Sequence, residues 1–191
     1  MRLFAAVLPP RPAVLELADV VASVAPRTAE LTAVPADAMM LPITNFGNVA
    51  QRDAVLLLEE LQQEASRWSR GVLKFTGGTA LEWRGDENVW AKIGGELDAL
   101  TNVGRGVPPV VQRLGFFVDR RAFRPWLAVG SITDHTTAPY LEKLVGALDA
   151  FEGQPWPLDE VCVMRRLPAN PDGTSGGVEI VQALRLGAGD E

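Results

Sequence analysis

The sequence predicts an α+β fold built on antiparallel sheets. Short apolar segments with a two-residue alternation are mixed with stretches whose apolar residues recur at three- and four-residue steps. Several of the links between them are short and rich in Gly and Asp, as hairpins are, so a doubly wound parallel sheet is disfavoured. The 191 residues, 47% hydrophobic and 22% charged, fit one domain over residues 1–191 with a sizeable core and no extended disorder.

Arg2 to Leu8 reads as a short strand, stopped by Pro9-Pro10. Val14, Leu17, Val21 and Val24 mark a helix opening near Pro12 and closing before Pro26. Leu31 to Pro35 reads as a short edge strand. The apolar stretch 40–49 follows. A second helix spans roughly Asp53 to Ser69, with Val55, Leu58 and Leu61 on one face and Glu59, Gln62, Gln63 and Arg67 on the solvated one.

Val72 to Phe75, Ala80 to Arg84 and Asn88 to Ile93 read as strands, with turns at Gly77-Gly78 and Gly85-Asp86. Gly95 to Asn102 starts a helix that Gly104-Arg105-Gly106 is expected to interrupt, and Pro108 to Leu114 adds a further helical turn. Phe116 to Val118 leads into the apolar stretch 123–131. A helix from about Pro139 to Phe151 is closed by Gly153. Val161 to Arg165 and Val178 to Leu186 form an antiparallel pair joined by the loop 169–177, and a short acidic tail ends the sequence. Both halves run in a similar order, with an apolar motif, a helix and then a strand pair.

The net charge is −6, and the isoelectric point is near 4.9. Phosphate neutralisation supplies most non-specific nucleic-acid affinity, so an acidic chain is a poor candidate for bulk RNA or DNA binding. The one cysteine, Cys162, sits in an alternating apolar run and reads as a small buried hydrophobe; it excludes disulfides and Cys-rich zinc sites. The N-terminus has neither the basic start nor the apolar run of a signal peptide or membrane span, which points to the cytoplasm.

Several stretches taken in order resemble a known family: Arg2-Leu3-Phe4-Ala5-Ala6-Val7-Leu8-Pro9-Pro10, Phe46-Gly47-Asn48-Val49, Leu114-Gly115-Phe116, Phe123-Arg124-Pro125, Trp156, the strand 161–165 and Leu184-Arg185-Leu186. The chain resembles the 2H phosphoesterase superfamily over nearly its whole length. The nearest group is the bacterial RNA 2',3'-cyclic phosphodiesterases, also labelled 2'-5' RNA ligases. The resemblance implies two pseudo-symmetric lobes around a central cleft, each an antiparallel sheet with helices outside. It further implies one His-x-Thr motif from each lobe. One histidine would serve as general base and the other as general acid, while the threonines hold the phosphate.

Both motifs are replaced here. Counting back from Gly47 without gaps puts Met40 at the first histidine position and Pro42 at its threonine. A gapped alignment instead puts Thr44 at the threonine and Pro42 at the histidine. In the second motif, Trp126 stands for histidine and Ala128 for threonine. None of Met40, Pro42, Trp126 or Ala128 transfers protons, so no catalytic residue is expected. The single histidine, His135, lies in the polar loop Thr133-Asp134-His135-Thr136-Thr137 and reads as a surface residue. No ligand spacing suggests a metal, and no cofactor is expected.

Thr44, Arg124 and His135 are the candidate ligand contacts. A basic patch of Arg113, Arg120, Arg121 and Arg124, interleaved with Phe116, Phe117 and Phe123, is a weaker nucleotide-binding candidate. Trp68, Trp83, Trp90 and Trp156 read as core, whereas the resemblance puts Trp126 in the cleft. Gly77-Gly78 and Gly104-Arg105-Gly106 lack the lysine and spacing of a phosphate loop. The sequence therefore points to a non-enzymatic binding or regulatory protein whose partner is a small molecule, a nucleotide or another protein. The alternatives are a phosphodiesterase using non-standard residues and an RNA-binding module.

Overall fold

The computed structural model describes residues 1–24, 29–83, 86–119, 122–168 and 176–187, leaving aside the side chains of 81–83. Two antiparallel sheets face a shared interior. β1 (Arg2–Val7), β3 (Leu41–Asn48), β8 (Glu160–Arg166) and β9 (Val178–Arg185) form one, in the order β3-β1-β8-β9. The other holds β2 (Leu31–Ala33), β4 (Gly71–Trp83), β5 (Asp86–Gly95), β6 (Trp126–Ile132) and β7 (Trp156–Leu158), in the order β2-β6-β5-β4-β7. The helices are α1 (Arg11–Val24), α2 (Gln51–Ala65), α3 (Leu97–Arg113) and α4 (Ala138–Ala150). α4 packs on β4 and α1 on α4, while α2 lies against β8, β9 and α3. This is the expected two-lobed α+β architecture.

The similar order of the two halves has a topological meaning. β3 is followed by α2 and then by the hairpin β4-β5, which joins the opposite sheet beside β6. β6 is followed by α4 and then by β8-β9, which joins the first sheet beside β1. Each half thus supplies a hairpin to the sheet holding the other half's motif strand.

β1 is central in its sheet and buried on both faces, hence its unbroken apolar run. Leu3, Ala5 and Val7 enter the main core, and Phe4 and Ala6 meet Cys162 and Met164 on the other face. Cys162 is buried, as the alternation suggested, and burial with nearby Glu160 pushes its thiol up to about 11.

Three local expectations are corrected. Gly77-Gly78 makes no turn; β4 runs through it with a bulge in which Thr76 and Gly77 lie between the pairs Phe75–Ile93 and Gly78–Ala91. Gly77 takes a φ of +79°, and the Gly78 N–H donates to Asp149 Oδ1 at 2.9 Å. Likewise α3 is continuous through Gly104, Gly106, Pro108 and Pro109. Its glycines serve close packing: a Cβ on Gly104 would fall 2.4 Å from Phe123 Cδ1, and one on Gly106 2.6 Å from Trp68. Tertiary contact overrides a weak local propensity. The strand β7 was not foreseen, being only three residues around the buried Trp156. Expectations for Pro26, Arg84-Gly85, the loop segment 169–175 and the tail after 187 fall outside the described residues.

Candidate functional site

A cleft of about 580 Å³ opens between the two sheets. β3 contributes Pro42, Ile43, Thr44 and Asn45; β1 contributes Phe4 and Ala5; β8 contributes Arg166. From the facing sheet come Trp126 on β6 and Asp86, Asn88 and Trp90 on β5, with Asp119, Ala122, Phe123 and Arg124 from the segment before β6.

Two register shifts in the β1–β3 pairing shape the first wall. They fall between Leu3 and Phe4 and between Ala5 and Ala6. The strict alternation of β3 is broken, so Ile43 and Thr44 are both buried while Pro42 and Asn45 are exposed. Thr44 is 6% exposed and its Oγ1 has no hydrogen-bond partner. An unpaired buried hydroxyl costs stability and marks a point where a ligand can supply the missing partner.

On the second wall, Ala128 lies directly opposite Trp90 across the β5–β6 pair. The small Ala128 side chain leaves room for the indole of Trp90, which reaches Trp126 at a centroid distance of 6.5 Å and 49° tilt. The Arg124 guanidinium lies 5.0 Å from the Trp126 ring centre and 3.4 Å from Asp86 Oδ2. Asp86 also accepts from Trp90 Nε1 at 3.0 Å. One carboxylate therefore fixes both the arginine and the second indole. On the opposite wall, Arg166 stacks 4.8 Å over Phe4. Each lobe thus presents a guanidinium laid on an aromatic ring.

The residues singled out in the sequence are distributed unevenly. Pro42, Thr44, Trp126 and Arg124 line the cleft together. Met40 does not; it precedes β3 and packs beside Phe4, Ala6, Cys162 and Met164, facing a neighbouring depression with Met1 and Arg2. Pro42 and Thr44, the pair of the gapped alignment, both line the cleft. Ala128 shares a strand face with Trp126 but lies under Trp90 and is not part of the lining. His135 is exposed in the loop beyond the far end of β6. Seven residues of strand put it about 20 Å from Trp126. Its loop is pinned to Glu30: the Thr136 hydroxyl donates to the Glu30 carbonyl, and the Thr137 N–H donates to the Glu30 carboxylate.

The basic patch separates. Arg113 pairs with Glu60 and Glu64 on α2, away from the cleft, and among the described residues of the patch only Arg124 joins the site. Arg120 and Arg121 lie outside the described residues. Trp90, expected in the core, is a wall of the cleft, because Asp86 holds its Nε1 toward that side. Arg166 and Asn45 were missed. The only sequence signal for Arg166 was a charged residue ending an apolar strand. Among the described residues no group of His, Cys, Asp and Glu side chains could hold a metal, and no helix is long and apolar enough to cross a membrane.

No protein-family model matches the sequence, and no curated protein matches it. Solved structures do. The crystal structure of TT0787 of Thermus thermophilus matches over 100% of both chains with 18% identity and a TM-score of 0.71. E. coli LigT complexed with 3'-AMP matches over 97% of both chains with 16% identity and a TM-score of 0.72. A crystal structure described as a phosphoesterase covers 97% of this chain and 98% of its own, at 15% identity and a TM-score of 0.68. The chain shares the fold of LigT and of related phosphoesterases.

Proposed function

We propose that the chain is a catalytically degenerate 2H phosphoesterase-like protein that binds a planar aromatic ligand of nucleotide kind without turning it over. The observation that carries this reading is Trp126. At the place where the second motif would present histidine, an indole stands on the wall of an open cleft, beside Trp90 and under Arg124. Proton transfer in a two-histidine mechanism needs groups that exchange near neutral pH at both walls. Pro42 and Trp126 exchange none, and the single histidine lies on an outer loop. What remains suits recognition: ring faces for stacking, the amides of Asn45 and Asn88, and the unpartnered Thr44 hydroxyl. A bound nucleotide, 3'-AMP, is recorded for LigT.

The test is titration with 3'-AMP followed by tryptophan fluorescence. Stacking on an aromatic side chain contributes about 1–3 kcal/mol per base, so Trp126→Ala should weaken binding about 5- to 150-fold. A variant that binds as tightly as the parent removes Trp126 from the ligand. Incubation with 2',3'-cyclic AMP checks the enzymatic alternative, for which Asp86 and Asp119 are the carboxylates at hand. Turnover that Asp86→Asn abolishes would overturn the non-catalytic reading.

A further inference from the structure

Arg2 on β1 lies directly opposite Arg166 on β8, and on its other side opposite Asn48 on β3. All three are exposed. Residues opposite each other in an antiparallel pair have Cβ atoms about 4.5–5.5 Å apart, and like charges in that position repel. Elsewhere Arg70, Arg113, Arg124 and Arg165 each face a carboxylate. Neither Arg2 nor Arg166 has an ion-pair partner among the described residues, although the chain carries a net charge of −6. Two unneutralised cations side by side in an acidic protein call for an anion from outside.

The surroundings suit one. Arg2, Arg166, Asn45, Asn48, Leu3 and Gly47 line a depression of about 240 Å³. Asn45 and Arg166 belong also to the main cleft, so the two spaces meet at these side chains. The Arg166 guanidinium, laid on Phe4, is held at that junction. By contrast, the cleft centre offers a phosphate little: Arg124 is committed to Asp86, and Pro42 has no side-chain donor. Phosphate matches the fork of donors that each guanidinium presents, and two forks with two amides can satisfy its oxygens.

We propose that the Arg2–Arg166 row is an anion subsite at the mouth of the cleft, taking the phosphate group of a ligand whose aromatic part lies against Trp126. The second half of that statement rests on the cleft reading above, whereas the first does not.

The experiment compares the parent protein with the double variant Arg2→Gln/Arg166→Gln, using adenosine, 3'-AMP and inorganic phosphate as probes. Calorimetry should show 3'-AMP binding the parent at least about tenfold more tightly than adenosine, an advantage that shrinks with added salt and vanishes in the double variant. Inorganic phosphate should raise the melting temperature of the parent and leave that of the double variant unmoved. Without phosphate, the double variant should melt no lower than the parent, because a repulsion has been relieved. If adenosine and 3'-AMP bind the parent equally, or the double variant keeps the preference, the subsite is refuted while the cleft reading stands. If neither nucleoside probe binds but phosphate protects through the two arginines, the subsite stands and the cleft reading falls. Phosphate protection that survives in the double variant refutes the subsite outright.

Discussion

Gly104 links the helix layer to the cleft, and its substitution by alanine separates helix propensity from packing. In an exposed helix interior, Gly→Ala stabilises by about 0.5–1 kcal/mol through the unfolded chain and helix propensity. Gly146, exposed in the middle of α4 with nothing within 4 Å of a built Cβ, should show that gain undiluted. For a chain of this size it raises the melting temperature by about 1–4 °C. Gly104 carries the same intrinsic gain but meets Phe123, with a new Cβ 2.4, 2.6 and 2.8 Å from three ring carbons. Such distances force the ring or α3 to shift, and overpacking of this kind costs about 1–3 kcal/mol. The net effect is a loss of up to about 2.5 kcal/mol, opposite in sign to Gly146→Ala at most of that range. Because Phe123 lines the cleft three residues before Trp126, the displacement should also weaken 3'-AMP binding. Thermal and urea unfolding followed by circular dichroism measure the first effect and calorimetry the second. Equal stabilisation by the two alanines would refute the close packing of Gly104 on Phe123.

Replacing Thr44 by valine removes an unpartnered buried hydroxyl, so stability should hold or rise by up to about 1 kcal/mol while 3'-AMP binding weakens; urea unfolding and calorimetry read the two changes. Cys162 should resist a thiol reagent at pH 8 in the folded protein and react at once in urea, since it is buried with its pKa pushed up to about 11. The folded state holds that proton more tightly than the unfolded chain, so its contribution is complete below about pH 9 and is lost as pH rises towards 11. Tyr140, raised above its usual value of 10.0 by burial and then by Glu30, adds to the same alkaline loss; Cys162→Ala should flatten only its own share of the stability profile between pH 9 and 11.

The fold was legible where patterns are local and strong. The run 2–8 announced a strand, which proves buried on both faces, and the period of 14, 17, 21 and 24 announced α1. Gly104-Arg105-Gly106 and Gly77-Gly78 misled because glycine has two uses, permissive dihedrals and close approach, and only the partner decides between them. The partners, Phe123, Trp68 and Leu148, are distant in sequence. The site was legible only as far as motif resemblance reached. Trp126 and Arg124 were expected at the cleft and line it, whereas the β1–β3 pairing is bulged and Met40 packs off the cleft. Trp90 had no local signal and Arg166 only its place at the end of an apolar strand, since both reach the cleft through pairing with strands of the other half of the chain.

The swapped topology makes the second wall of the cleft a joint product of both halves of the chain. Trp126 stands on a strand of the second half, yet the residue that fills the space over Ala128 is Trp90, from a hairpin of the first half. Asp86, from the same hairpin, then ties Trp90 to Arg124 and so holds Arg124 on Trp126. The second wall is thus one connected unit of two indoles, a guanidinium and a carboxylate. Histidine at 126 would remove the platform under Arg124 and leave Pro42 on the opposite wall. The single change Trp126→His should therefore weaken 3'-AMP binding, as expected for Trp126→Ala, and gain no hydrolysis of 2',3'-cyclic AMP.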